Sequence, residues 1–172
     1  TYNVTGNAWD SGGYSTTSFT GGAKLTFKVV GGFSLMLGLN TDPATNASFA
    51  SIDYCFYFTG GIIRIYESGT SQYTGGAYVA TDVFTILYNN DTVSYYQNNT
   101  CLRTVEVASG LTLSFDSSFT YSNAYGPNSI TNLGFSAYVA VGANTFTYDT
   151  VSVGATVADG VINSVSKLVS IA

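Results

Sequence analysis

The chain contains no histidine, and that absence removes much of the chemistry a domain of this size commonly carries. Ser-His-Asp and Cys-His nucleophilic systems need an imidazole to move the proton, and most zinc sites need one as a ligand. Glycoside hydrolysis needs two carboxylates facing each other across the scissile bond, and nothing in the sequence sets the only glutamates, Glu67 and Glu106, in such a pair. What remains is aromatic and polar: 14 Tyr, 11 Phe and 1 Trp among abundant Ser, Thr, Asn and Gly. Aromatic faces stack on sugar rings while Asn, Asp and Arg hydrogen-bond the hydroxyls. The candidate ligand-binding residues are therefore Trp9, Arg64, Tyr66, Tyr96, Tyr121 and Tyr125, with Asp53 nearby. No catalytic residue is expected, and the chain reads as a non-enzyme. The same residues have plainer uses: Trp9 can plug the end of a β-sandwich, and loops or a neighbouring subunit can cover Tyr66 and Tyr96.

Hard cations want several converging oxygen ligands. Asn40/Asp42 and Asn89/Asn90/Asp91 offer such oxygens, but no spaced carboxylate loop accompanies them. They read as Asx turns in preference to a calcium site, so no metal or other cofactor is expected. Cys55 and Cys101 form a disulfide if their strands meet, and are otherwise two buried thiols; spacing alone does not decide between these. Sequons for glycosylation occur at Asn3, Asn46, Asn90 and Asn98. Asn90 and Asn98 fall in expected turns, where a glycan is accepted.

The 172 residues suit one domain that buries roughly two thirds of its unfolded surface. Only 9% of residues are charged while 15% are aromatic, which is not the composition of a disordered chain. No apolar run approaches the ~20 residues of a membrane span, so no membrane insertion is expected. The net charge of −5 and the scattered cations Lys24, Lys28, Arg64, Arg103 and Lys167 argue against nucleic acid, which needs clustered positive charge. A polar surface rich in Tyr, Ser, Thr and Asn suits an extracellular protein or a particle shell. With no initiator methionine or charged leader, Thr1 reads as a processed or excised end.

The elements that must position these residues are strands. Residues 52–107 alternate apolar and polar side chains, with breaks at Gly60-Gly61, Ser68-Gly69, Asn89-Asn90-Asp91 and Asn98-Asn99, the chemistry of an antiparallel meander. Phe84, Ile86, Tyr88, Val93 and Tyr95 share one face; Thr85, Leu87, Ser94 and Tyr96 share the other, as do Arg64 and Tyr66 on their own strand. Residues 24–30 alternate likewise, and residues 34–39 are apolar throughout, as in a strand buried on both faces. Further strands are expected over 110–115, 133–140 and 145–153. Polar loops are expected over 9–17, 41–51 and 116–132, and a Gly- and Tyr-rich link over 69–81. In the tail, Val157, Val161, Ile162, Val165, Leu168 and Val169 recur at helix-like spacing behind Asp159, giving a short amphipathic helix or an extended arm. The expected organisation is a β-sandwich domain over 1–154 and a connector or docking tail over 155–172.

The order of short motifs is informative as a set: Trp9 to Thr16, the LTF strand at Leu25 to Phe27, M-L-G-L at Met36 to Leu39, and I-D-Y at Ile52 to Tyr54. I-R-I-Y-E-S-G at Ile63 to Gly69, D-V-F-T-I at Asp82 to Ile86 and V-S-Y-Y-Q-N-N at Val93 to Asn99 follow. The series resembles the concanavalin A-like lectin/glucanase (jelly-roll) modules of viral and phage attachment proteins and bacterial surface proteins. In the last motif Asn99 stands where that family usually has a turn glycine, a replacement that Asn tolerates. The resemblance implies an all-β, two-sheet antiparallel β-sandwich. The glucanases of that fold carry an E-x-D-x-x-E strand that is missing here, and two arginines are too few for a sialidase-type cluster. The implied function is a non-catalytic recognition module, a virion fibre or surface protein that binds a host-surface glycan or receptor. The alternative is a structural capsid, fibre or decoration subunit. Both imply a homo-oligomer in contact with neighbouring virion subunits, at the virion surface or outside the cell.

Overall fold

A computed structural model describes residues 9–31, 34–120 and 129–139, and the short segments 157–158 and 161–162. The chain divides into two compact units, Thr1–Val139 and Ala140–Ala172. The first unit holds eleven strands: β1 (Trp9–Thr20), β2 (Gly22–Val30), β3 (Leu35–Asn40), β4 (Tyr54–Thr59), β5 (Ile62–Glu67), β6 (Thr70–Ala77), β7 (Phe84–Asn89), β8 (Thr92–Gln97), β9 (Thr100–Glu106), β10 (Thr112–Thr120) and β11 (Ser129–Ala137). They form two antiparallel sheets, one in the order β1-β10-β3-β4-β5-β6 and the other in the order β11-β2-β7-β8-β9. Among the described residues the only helical element is one 3-10 turn, Phe49–Ser51.

The alternation sorts side chains as the sequence implies. Phe84, Ile86, Tyr88, Val93 and Tyr95 are fully buried and join Leu25, Phe27, Leu37, Phe56, Phe58, Ile63 and Ile65 in one core between the sheets. Rings interlock in that core: Phe27 stacks on its neighbour Phe84 within one sheet at 5.9 Å, while Phe58 on Phe84 at 4.8 Å and Phe56 edge-on to Tyr95 at 5.5 Å cross between the sheets. Strand β3 is buried along its whole length, because its inner face meets this core while its outer face is also covered. At the rim of the core Arg103 on β9 reaches Glu67 on β5. Its Nε donates to Oε1 at 2.9 Å and its Nη2 to Oε2 at 2.8 Å, so a forked ion pair ties one sheet to the other.

Several expectations are corrected. The 52–107 meander is two meanders: β4-β5-β6 belongs to the six-stranded sheet and β7-β8-β9 to the five-stranded one. Cys55 on β4 is buried and Cys101 on β9 is exposed; both are free thiols in opposite sheets, so no disulfide forms. Residues 9–17 are not a loop but part of β1, and the 69–81 link contains β6. Within the expected 116–132 loop the described residues are strand, since β10 runs on to Thr120 and β11 begins at Ser129; residues 121–128 lie outside the described residues. These stretches are rich in Ser, Thr and Gly, and pairing with neighbouring strands overrides their weak strand pattern. In the turn between β8 and β9 the left-handed residue is Asn98, with φ 55°, and not Asn99.

In the second unit Val157–Ala158 pairs antiparallel with Val161–Ile162. Three residues with helix-like spacing thus lie in paired strands. β-Branched side chains favour strands. The strand expected over 145–153 lies outside the described residues.

Candidate functional site

The outer face of the six-stranded sheet is built by the side chains that point away from the core. In β4 Phe56 and Phe58 turn inward, so Cys55 and Tyr57 turn outward; in β5 Ile63 and Ile65 turn inward, so Arg64 and Tyr66 turn outward. Strand register sets Tyr57 opposite Arg64 and Cys55 opposite Tyr66. On the far side of Arg64 stands Thr74 of β6.

The loop over residues 41–53 lies across part of this face. It is pinned at its start, where the Thr41 N–H and Oγ1 donate to Asp53 Oδ2 at 2.9 and 2.7 Å. Ser118 Oγ on β10 donates to the Ala47 carbonyl at 2.6 Å. Ser48 then caps the 3-10 turn by accepting from the Ala50 N–H at 3.3 Å. That turn sets Phe49 and Ile52 onto the sheet, where Ile52 is buried with Met36 and Cys55 as a second, smaller core.

Four half-buried aromatics close over this small core as a ring. Trp9 meets Phe49 at 5.1 Å and Tyr57 at 5.5 Å, while Tyr66 meets Phe49 at 6.5 Å and Tyr57 at 5.4 Å. The crossing angles run from 56° to 90°, the edge-to-face geometry that the ring quadrupoles favour. Arg64 borders Tyr57 and Tyr66. It makes no hydrogen bond or ion pair with any described residue, and its Nε is buried without a partner.

The structure thus brings together Trp9, Arg64 and Tyr66 from the sequence-derived set. It separates Tyr96, which lies on the outer face of the five-stranded sheet in a shallow cleft with Lys24, Thr85, Leu87, Asn98, Asn99 and Tyr138. Tyr121 and Tyr125 lie outside the described residues. Phe49 and Tyr57 are additions. Tyr57 was legible from parity, since it alternates with Phe56 and Phe58; Phe49 sits in a loop whose path no local pattern signals.

The same face carries a buried carboxylate. Asp116 on β10 accepts from Asn40 Nδ2 at 2.8 Å and from the Ser117 N–H at 2.7 Å. Burial holds its pKa above the ordinary aspartate value; the two hydrogen bonds oppose that rise, and Asp42 and Asp53 add to it. A carboxyl that binds its proton more tightly when folded favours the fold most below about pH 4, and this contribution is lost as pH rises through the elevated folded value. Asp82 acts in the opposite sense. Hydrogen bonds, led by the one from Asn98, lower its pKa, so its contribution is lost as pH falls. Asp116→Asn is therefore expected to weaken the acid-side stabilisation selectively. The check is the urea midpoint of both proteins between pH 3 and 7, and a constant difference across that range would exclude the assignment.

Both Asp116 oxygens are engaged by protein donors, and among the described residues no group of three or more His, Cys, Asp or Glu is placed to hold a metal ion. Asn40 serves Asp116, and Asn90 is a turn residue with φ 53° whose Oδ1 accepts from the Gly110 N–H at 3.3 Å. Of the sequon residues, Asn46, Asn90 and Asn98 are exposed, and Asn3 lies outside the described residues. Asn98 Nδ2, the glycan attachment atom, donates to Asp82 Oδ1 at 3.0 Å. Among the described residues no helix is long and apolar enough to cross a membrane.

No protein-family model matches the sequence, and no curated protein matches it. Solved structures do match in fold. Alginate lyase AlgAT5 of polysaccharide lyase family 7 superposes with a TM-score of 0.53 at 12% identity, over 72% of this chain and 63% of the lyase. The alginate lyase from Corynebacterium sp. gives 0.51 at 13% identity, over 71% and 62%. The SPRY domain of human HERC1 gives 0.52 at 17% identity, over 73% and 81%. The match spans less than two thirds of either lyase. Enzymes and non-enzymes share this architecture, so the likeness carries the fold alone. With six- and five-stranded antiparallel sheets packed face to face and these neighbours, the chain is a concanavalin A-like jelly-roll β-sandwich.

Proposed function

We propose that this chain is a non-catalytic recognition module that binds a glycan on the outer face of its six-stranded sheet. The observation that carries the reading is the ring of Trp9, Phe49, Tyr57 and Tyr66 bordered by Arg64. Sugar rings present apolar C–H faces that stack on such aromatics, and an unpaired guanidinium supplies donors to the oxygens. The module works at a virion fibre or another extracellular surface, where it attaches its particle to a host glycan or a glycosylated receptor.

The alginate lyase neighbours raise catalysis as a competing reading. Carboxylate acid–base work on this face would need a carboxyl group free to meet the substrate. The nearby carboxylates serve the protein instead: Asp53 holds Thr41, Asp116 holds Asn40 and Ser117, and Glu67 holds Arg103. A structural role as a capsid, fibre or decoration subunit is supported by β6, an edge strand without a charged residue. Such an edge readily pairs with another copy.

The test is a glycan array probed with the full chain, with and without calcium, beside light scattering for self-association. Selective binding is expected, reduced at least tenfold by Tyr57→Ala or Tyr66→Ala and unchanged by Tyr96→Ala on the opposite sheet. Binding lost only with Tyr96→Ala would move the site to the five-stranded sheet. A folded protein that binds no glycan and self-associates would establish the structural role, and chain cleavage of any offered polysaccharide would overturn the non-catalytic reading.

A further inference from the structure

We propose that the glycan bound on this face is anionic, and that its carboxylate or sulfate group pairs with Arg64. The inference rests on the glycan-binding reading above and names the class of ligand. It follows from how the chain disposes of its positive charge. Of five cations, Arg103 is taken by Glu67 through a forked pair, and Lys24 and Lys28 belong to β2 in the other sheet. Lys167 lies outside the described residues. Arg64 is the one cation on any strand of the six-stranded sheet, and it stands beside the aromatic ring.

A structural arginine normally has its donors satisfied, because a guanidinium shut away from water without a partner is costly. Arg64 departs from this: its Nε is buried and unpartnered, and Glu67, the acid on its own strand, is already committed to Arg103. A modest turn of the side chain toward an anion on the open side of the sheet would relieve the unpaired Nε and engage the planar fork. Carboxylates and sulfates have two oxygens that match this fork. A sugar stacked on Tyr57 or Tyr66 brings its ring substituents to this position, since register sets Arg64 directly opposite Tyr57 and two residues from Tyr66. The chain's net charge of −5 does not forbid the encounter, because charges more than about 8 Å away are largely screened at physiological salt.

The experiment compares oligosaccharides that share one backbone and differ in a single substituent, as neutral, uronate and sulfated forms, by calorimetric titration of the full chain. The expected result is that one anionic form binds at least tenfold more tightly than the neutral form and weakens as salt is raised. Arg64→Gln and Arg64→Ala should abolish that preference, lowering the affinity of the anionic form to that of the neutral form; Arg64→Lys should restore part of it. The uronate and sulfate arms separate the two sources of negative charge. Equal binding of all three forms by the wild-type chain overturns the inference and leaves the glycan-binding reading standing. If no form binds to the folded chain, the glycan-binding reading itself falls. An anionic preference that survives Arg64→Gln places the charge recognition elsewhere and overturns the assignment to Arg64.

Discussion

Gly38→Ala is expected to leave little or no folded protein. Gly38 lies on the outer face of β3, paired with Cys55 on β4 and with Asp116 on β10. A Cβ at this position would collide with the Tyr54 carbonyl oxygen and stand 2.6 Å from Cys55 Cβ and 2.7 Å from Cys55 Cα. Two of these three are backbone atoms and the third is a Cβ, so no rotamer change relieves the overlap; β3 and β4 must separate. That pairing lies at the centre of the six-stranded sheet, and through β4 it positions Tyr57. Overpacking in a well-packed interior typically costs 1–3 kcal/mol, and a clash with backbone exceeds that range, against a total stability of roughly 5–15 kcal/mol. Gly76→Ala is the control, since a Cβ there meets nothing within 4 Å. The measurement is soluble yield and thermal melting of both variants. A Gly38→Ala protein that melts within a few degrees of wild type would show that β3 and β4 can part to admit a methyl group.

The second large effect is expected at Phe56. This residue is fully buried, and its ring touches those of Phe27, Phe58, Phe84 and Tyr95 at 5.3–6.2 Å. Three of those partners belong to the five-stranded sheet and Phe56 to the six-stranded one, so truncation opens a cavity where the sheets meet. Phe→Ala in a core costs about 3–5 kcal/mol, which for a domain of this size lowers the melting temperature by roughly 10 °C or more. Phe56→Leu keeps most of the volume and should cost well under half as much. Denaturant midpoints of the two variants check the ratio; equal losses would point to a lost ring interaction in place of a cavity.

Loss of either residue should also abolish ligand binding, although neither touches the proposed ligand. The aromatic ring is held by strands whose inner faces are the core, and Tyr57 is the direct neighbour of Phe56 on β4. Stability and recognition are therefore coupled through the alternation of a single strand.

Much of this was legible in the residues alone. Alternation in β2, β5, β7 and β8 sorted core from surface, since successive strand side chains point to opposite faces whatever the strand pairs with. The turns Gly60-Gly61 and Ser68-Gly69 have positive φ at both residues, as hairpin turns require. The missing histidines and scarce cations follow directly from composition, and the absence of an E-x-D-x-x-E strand from the positions of the two glutamates. What local pattern could not reach was partnership. The assignment of β4 and β5 to one sheet and β7 and β8 to the other depends on distant pairings, such as β10 with β1 and β3. These join segments far apart in sequence. That allocation alone keeps Cys55 from Cys101, parts Tyr66 from Tyr96, and gathers Trp9, Phe49, Tyr57 and Tyr66 from four separate elements onto one face. Strand parity is a property of a few neighbouring residues and can be read from them; the choice of neighbouring strand is a property of the whole chain and appears only when it folds.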